Sequence, residues 1–186
     1  MNWIGLTVAA ALLAPANDPT VPSVRDSSFT AADGTRTMRL SLLIHRPPRR
    51  VWRAISTEQG WKSWGVQSAF VDFRQGGMIE TSYRPDAPKG DRDNIRNLII
   101  DFVPERLLVF RNVQAPRKFP ADTERFSRVI TTIKLAPAKS GTIVSISGAG
   151  YGADGEYQRL YEFFRRGNAY SLEQLRDTVE RDVQSD

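Results

Sequence analysis

The sequence has no cysteine and a single histidine, His45, among its 186 residues. Without cysteine there is no disulfide, no thiol nucleophile and no thiolate metal site. One histidine rules out a multi-histidine site as well, so no metal is expected. A serine–histidine–acid triad has only His45 to draw on. That residue ends a strand-like run just before Arg46 and two prolines, so a structural or exposed role suits it better than catalysis. Lysine is scarce too: Lys62, Lys89, Lys118, Lys134 and Lys139 are the only five, which leaves 21 of the 26 basic residues to arginine. The arginines are scattered and mixed with acids, and the densest group, HRPPRRVWR, covers a few positions. No basic face is combined with stacking aromatics, so the net charge of +5 reads as a solvated surface and no nucleic-acid partner is expected. Weak contact with an anionic membrane surface is compatible with that charge.

The apolar stretch from Trp3 to Ala14 lies in a charge-free start, MNWIGLTVAAALLAPA, and is too short to span a bilayer. Ala14-Pro15-Ala16 fits an A-x-A cleavage site, although only the free amino terminus supplies positive charge before it. Residues 1–16 therefore read as a secretory signal peptide in preference to a buried first helix, and the protein as exported, to the periplasm. Residues 17–36, rich in Pro, Ser, Asp and Gly, read as a linker or poorly ordered lead-in. Residues 37–186 remain as one domain, long enough for a real core.

Within that domain TMRLSLLIH alternates, with Met38, Leu40, Leu42 and Ile44 on one face of a strand. Pro47 and Pro48 stop the ladder and can open a helix, since proline has no N–H to give and its φ suits the first turn. Val51, Trp52 and Ile55 form an apolar stripe; Thr57 is a candidate N-cap for a second short helix, with Trp61 and Trp64 sharing one face of it. AFVDFRQGGMIETSY reads as a hairpin turning at Gln75-Gly76-Gly77. RPDAPKGDRD and QAPRKFPADTERF read as loops. NIRNLIIDFV, LLVFRNV, SRVITTIKL and TIVSIS read as further strands. Leu160, Phe163, Phe164, Leu172, Leu175 and Val179 then follow helical spacing to about Arg181. Gly167 interrupts that helix, which predicts a bend or a close packing contact there.

Gly150, Gly152 and Gly155 spell G-x-G-x-x-G between the last strand and this helix. A dinucleotide fingerprint needs a further strand after the helix, with an acid near its end. Here the helix runs almost to the last residue. The glycines therefore read as a flexible corner, with Asp154 as the helix cap and Glu156 suited to its positive end, and no cofactor is expected.

The order of RPPRRVWRAISTEQGWKSW, VDFRQGGMIE, DFVPERLLVF, SRVITTIKLAPAKSGTIVSISGAG and a long final helix resembles the SRPBCC superfamily of START-related, helix-grip domains. Within it the chain is most similar to the branch of the activator of the heat-shock protein 90 ATPase, over about His45 to Val179. It departs in its exported-looking start, its two long loops and KSW where a double tryptophan is common. The resemblance implies an α+β fold: a curved antiparallel sheet wrapped around the C-terminal helix, with two short helices after the first strand and a cavity between sheet and helix. It also implies binding of a small apolar or amphipathic ligand. The inward row on each element is the candidate lining: Trp64, Phe73, Ile79, Tyr83, Val129, Thr131, Ile133, Val144, Ile146, Leu160 and Phe164. The competing reading is that these residues fill a dry core. Thr131 and Tyr83 are the informative members, because a polar tip in such a row needs a partner. The alternatives are an enzyme in the same cavity, using Tyr83, Asp72 or Arg74, and a chaperone-partner module. No carboxylate pair, triad or metal set supports the enzyme, and the oligomeric state is left open.

Overall fold

The computed structural model describes residues 24–181, so the signal-peptide reading of residues 1–16 lies outside the described residues. The described elements, in chain order, are β1 (Arg25–Asp26), β2 (Phe29–Thr30), β3 (Arg36–Ile44), α1 (Pro48–Ser56), α2 (Glu58–Trp64), β4 (Ser68–Val71), β5 (Met78–Ser82), β6 (Ile95–Val103), β7 (Leu107–Gln114), α3 (Thr123–Arg128), β8 (Ile130–Ala138), β9 (Gly141–Tyr151) and α4 (Gly155–Arg181). All nine strands join one antiparallel sheet in the order β1-β3-β9-β8-β7-β6-β5-β4, with β2 also on β3. This is the helix-grip arrangement that the resemblance implied.

From β5 to β9 each strand pairs with its predecessor, so no crossover is needed. The β3–β9 pairing is the long-range one: Leu40 lies opposite Ile146 and Leu42 opposite Val144. It brings the start of the domain beside its end and forms the half of the sheet on which α4 packs. Met38, Leu40, Leu42 and Ile44 are buried there, as their alternation predicts, against Leu160, Leu172, Leu175 and Val179 of α4. Val51, Ala54 and Ile55 close the core from α1.

The punctuation behaves as its chemistry requires. Pro48 occupies the first turn of α1. The Thr57 hydroxyl accepts from the Gly60 N–H at 3.0 Å and caps α2. At the hairpin before β5, a Cβ on Gly77 would fall 2.1 Å from the Asp72 carbonyl oxygen, so only glycine fits. The same turn is tied to β6, where the Gly76 N–H donates to Ile99 O and the Ile99 N–H to Gly77 O, both at 2.9 Å.

Three expectations change. The lead-in supplies β1 and β2, which pair on the free edge of β3, and the Ser27 N–H donates to Arg39 O at 2.8 Å. Two-residue strands carry too little alternation to be seen in sequence. The loop at QAPRKFPADTERF holds α3, capped by Asp122, whose carboxylate accepts from the Arg125 N–H at 2.9 Å. Finally, of the bend or close packing contact expected at Gly167, the contact is absent: the residue is exposed and a Cβ there would meet nothing within 4 Å.

At the glycine corner the backbone itself calls for glycine at one position. Gly150 has φ +102, and a Cβ there would sit 3.0 Å from Arg128 O. Asp154 caps α4 through the Tyr157 N–H at 2.9 Å, and no strand follows α4 within the described residues. The hydrogen bond from that N–H, together with the Arg125 guanidinium 3.1 Å away, holds the Asp154 carboxyl below its ordinary range.

Candidate functional site

Strand register sorts the inner face of the sheet into rows. One row runs Ile99–Phe110–Thr131–Gly148–Met38 across β6, β7, β8, β9 and β3. The next runs Phe102–Leu108–Ile133–Ile146–Leu40. A third begins at Ile79 and continues through Asn97 to Asn112. Two register shifts, at Arg96/Asn97 and at Ile99/Asp101, add residues to the β6–β7 ladder and increase its curl.

Helix α4 covers this face unevenly. Ile133, Val144, Ile146 and Met38 are buried beneath it. By contrast Ile95, Asn97, Phe110 and Thr131 point to the same side yet remain half-buried. Ile99, Leu108, Asn112 and Val129 are buried as well, so the partly open part of β6, β7 and the start of β8 is confined to the neighbourhood of Ile95, Asn97, Phe110 and Thr131. Its borders are α2, which packs on β4 and α4, and α3, which packs on β7. Between α3 and α4 stands a group of phenylalanines, with Phe126 stacked on Phe164 at 4.5 Å and Phe119 on Phe126 at 5.3 Å.

The predicted lining divides along that boundary. Ile79, Val129, Ile133, Val144, Ile146 and Leu160 are sealed in the core. Phe164 and Thr131 lie at the open half, Thr131 between Phe110 and Gly148. Trp64 is half-buried and its indole N–H donates to Ala54 O at 3.0 Å, which makes it part of the α1–α2 joint, 5.0 Å from Trp61. Phe73 lies beyond β4 and packs edge-on between Trp52 and Phe102. Tyr83 is a correction: it is 58% exposed and does not belong to the inner row. Strand β5 ends at Ser82, where the Arg84 N–H donates to the Ser82 hydroxyl at 3.2 Å, so the alternation stops before Tyr83.

The residues named for the enzyme alternative lie outside the inner face. Asp72 and Arg74 pair with each other at 3.0 Å in the exposed turn before β5, whereas Tyr83 follows its other end. His45 is exposed as expected; its Nδ1 lies 3.1 Å from Ser140 O and its N–H donates to Glu180 Oε1 at 2.6 Å. It borders a shallow, open depression of about 360 Å³ with Arg46, Pro47, Pro137 and Gly141, at the opposite end of β3 and β9 from the open half of the inner face. No cluster of metal-ligating side chains occurs among the described residues.

Sequence reasoning missed the inward amides. Asn112 is 3% exposed, and its Nδ2 donates to Gln114 O at 2.9 Å, to Arg96 O at 3.2 Å and to Asn97 Oδ1 at 3.4 Å. It thereby ties down the register shift of β6–β7 and orients Asn97. The signal was present in NIRNLII, where Asn97 alternates with Ile95 and Ile99. It was masked because Leu98 and Ile100 make the other face equally apolar.

A family model described as activator of Hsp90 ATPase homolog 1-like protein matches residues 45–180. Comparison with curated proteins returned no match. Among solved structures, protein MLL2253 from Mesorhizobium loti is similar at 22% identity, over 79% of this chain and 98% of that one, with a TM-score of 0.60. The Aha1 dimer from Colwellia psychrerythraea aligns at 14% identity over 79% and 98%, with a TM-score of 0.61. Protein CV1439 from Chromobacterium violaceum aligns at 26% identity over 78% and 98%, with a TM-score of 0.56. These likenesses are likenesses of fold.

Proposed function

Because the chain belongs to the activator of Hsp90 ATPase homolog 1-like family, we propose that it holds a small apolar or amphipathic molecule between the inner sheet face and α4. The observation that carries this reading is the uneven cover of the inner face. Phe110 and Thr131 stay half-buried on a face whose other half is sealed by α4. That leaves apolar sheet surface that a ligand can cover. Burial contributes about 25 cal/mol per Å² of apolar area, so a ligand covering roughly 400 Å² gains about 10 kcal/mol before the costs of binding. Micromolar affinity is a reasonable remainder.

The test is a thermal-shift and tryptophan-fluorescence screen against sterols, quinones, fatty acids and aromatic metabolites. A ligand that binds only the folded state raises the melting temperature by mass action. Thr131→Phe places a ring on the open half beside Phe110 and should abolish the shift while leaving the sheet intact by circular dichroism. If no compound moves the wild-type melting temperature, the ligand-carrier reading fails.

A further inference from the structure

We propose that the open half of the inner face recognises an uncharged hydrogen-bond acceptor, so that the ligand is a neutral amphiphile. This rests on the reading of the inner face as the ligand site and adds the chemistry of its polar group.

The first observation is the sign and place of charge. On the described strands Arg39, Glu80, Arg96, Asp101, Arg111 and Lys134 all fall on the outer face by register. On the outer side the buried Glu80 is accounted for: the Asn94 Nδ2 donates to it at 2.7 Å and Arg96 lies 3.7 Å away. Arg36, which starts β3, reaches the helix side, but it donates to Gln158 and lies over the Tyr161 ring at 5.5 Å. Asp26 of β1, opposite Leu40, is also on the helix side and lies 3.4 Å from Arg165 of α4, and both groups are at the far side of the sheet from β6. An ion brought to the β6–β7 half would lose water and meet no opposite charge from the inward residues of those strands, a cost that one amide contact does not offset.

The second observation is the kind of polar group left free. Asn97 accepts from Asn112 through Oδ1, and its Nδ2 has no hydrogen-bond partner among the described residues. The free end of this half-buried amide is therefore a donor. Elsewhere under the same helix cover, on α2, the Trp61 indole N–H is likewise a donor and is buried without a partner. The buried Trp61 donor is costly to leave unpaired, whereas the half-buried Asn97 amide keeps access to water until a ligand covers it. A carbonyl, ester or hydroxyl oxygen takes the place of water on the Asn97 amide, and the hydrocarbon of the same molecule lies on the half-buried Phe110 and Phe164.

The experiment uses displacement of the neutral dye Nile red from the full chain by four probes with the same tail: dodecanamide, dodecanol, dodecanoate and dodecylammonium. The amide and the alcohol should displace the dye at concentrations about tenfold lower than either ion, the scale of one hydrogen bond made away from water. Asn97→Leu should remove that advantage while Nile red affinity stays within about twofold, since the apolar contacts remain. Asn97→Asp, which puts a carboxylate in the same place, should turn the preference toward dodecylammonium. If Nile red binds but the four probes compete equally, or Asn97→Leu changes nothing, the neutral-acceptor inference is overturned and the ligand-carrier reading stands. If neither the dye nor any probe binds, both fall.

Discussion

Replacing Gly150 with alanine separates a mechanical corner from a phosphate-binding turn. The residue has φ +102, where an L side chain is strained by about 1–3 kcal/mol. The new Cβ would also lie 3.0 Å from the Arg128 carbonyl oxygen, a backbone atom at the end of α3 that cannot swing aside. Together these predict a loss of about 2–3 kcal/mol, or roughly 4–12 °C in melting temperature for a chain of this size. The other glycines of the same motif provide the controls. At Gly152 a Cβ would come within 2.6 Å of the Tyr157 ring, which must move, so a smaller loss is expected. At Gly155 a Cβ meets nothing within 4 Å, and alanine should be neutral or stabilising by up to about 1 kcal/mol. Urea denaturation gives the three free energies, and calorimetric titration with nicotinamide and flavin nucleotides gives the binding side. The expected result is a graded stability series with no nucleotide binding. A Gly150→Ala protein as stable as wild type, or saturable micromolar nucleotide binding that the substitution abolishes, would refute the reasoning.

Two further outcomes follow from the same structure. Gly167→Ala should stabilise the protein by about 1 kcal/mol, since the position is mid-helix, exposed and open to a Cβ; a melting temperature that falls would show an unseen contact. Acid should unfold the protein through its paired aspartates. Hydrogen bonds from the Arg117 side chain and its backbone N–H hold the Asp93 carboxyl well below its ordinary range, and bonds from the Arg125 backbone and side chain lower Asp122. Folded values below the unfolded value of about 4 mean that their stabilisation is fully present above that pH and is lost as pH falls through the folded values. The melting temperature should therefore hold from neutral pH to about 5 and drop below about 4, with a shallower drop in Asp93→Asn; parallel profiles for the two proteins would exclude Asp93 from the effect.

The sequence by itself determined what depends on period and on single-residue chemistry. The alternation from Met38 to Ile44, the proline start of α1, the Thr57 cap and the Asp154 cap are local, because each is set by residues within one turn or one strand. The same holds for the element order that carried the family resemblance. What the tertiary structure decided is which neighbours those faces receive. Tyr83 keeps the parity of Ile79 and Thr81, but a side chain stays inward only while its strand lasts, and β5 ends at Ser82. Asn97 could be assigned to neither face from sequence, because apolar residues occupy both sides of β6 and its register depends on shifts fixed against β7. The β3–β9 pairing joins residues about a hundred positions apart, and it sets where α4 lies across the sheet. That placement seals Val144 and Ile146 and leaves Phe110 and Thr131 half-open, although all four are inward residues of comparable strands. Periodicity specifies the direction of a side chain; whether anything lies over it is a property of contacts that no local stretch contains.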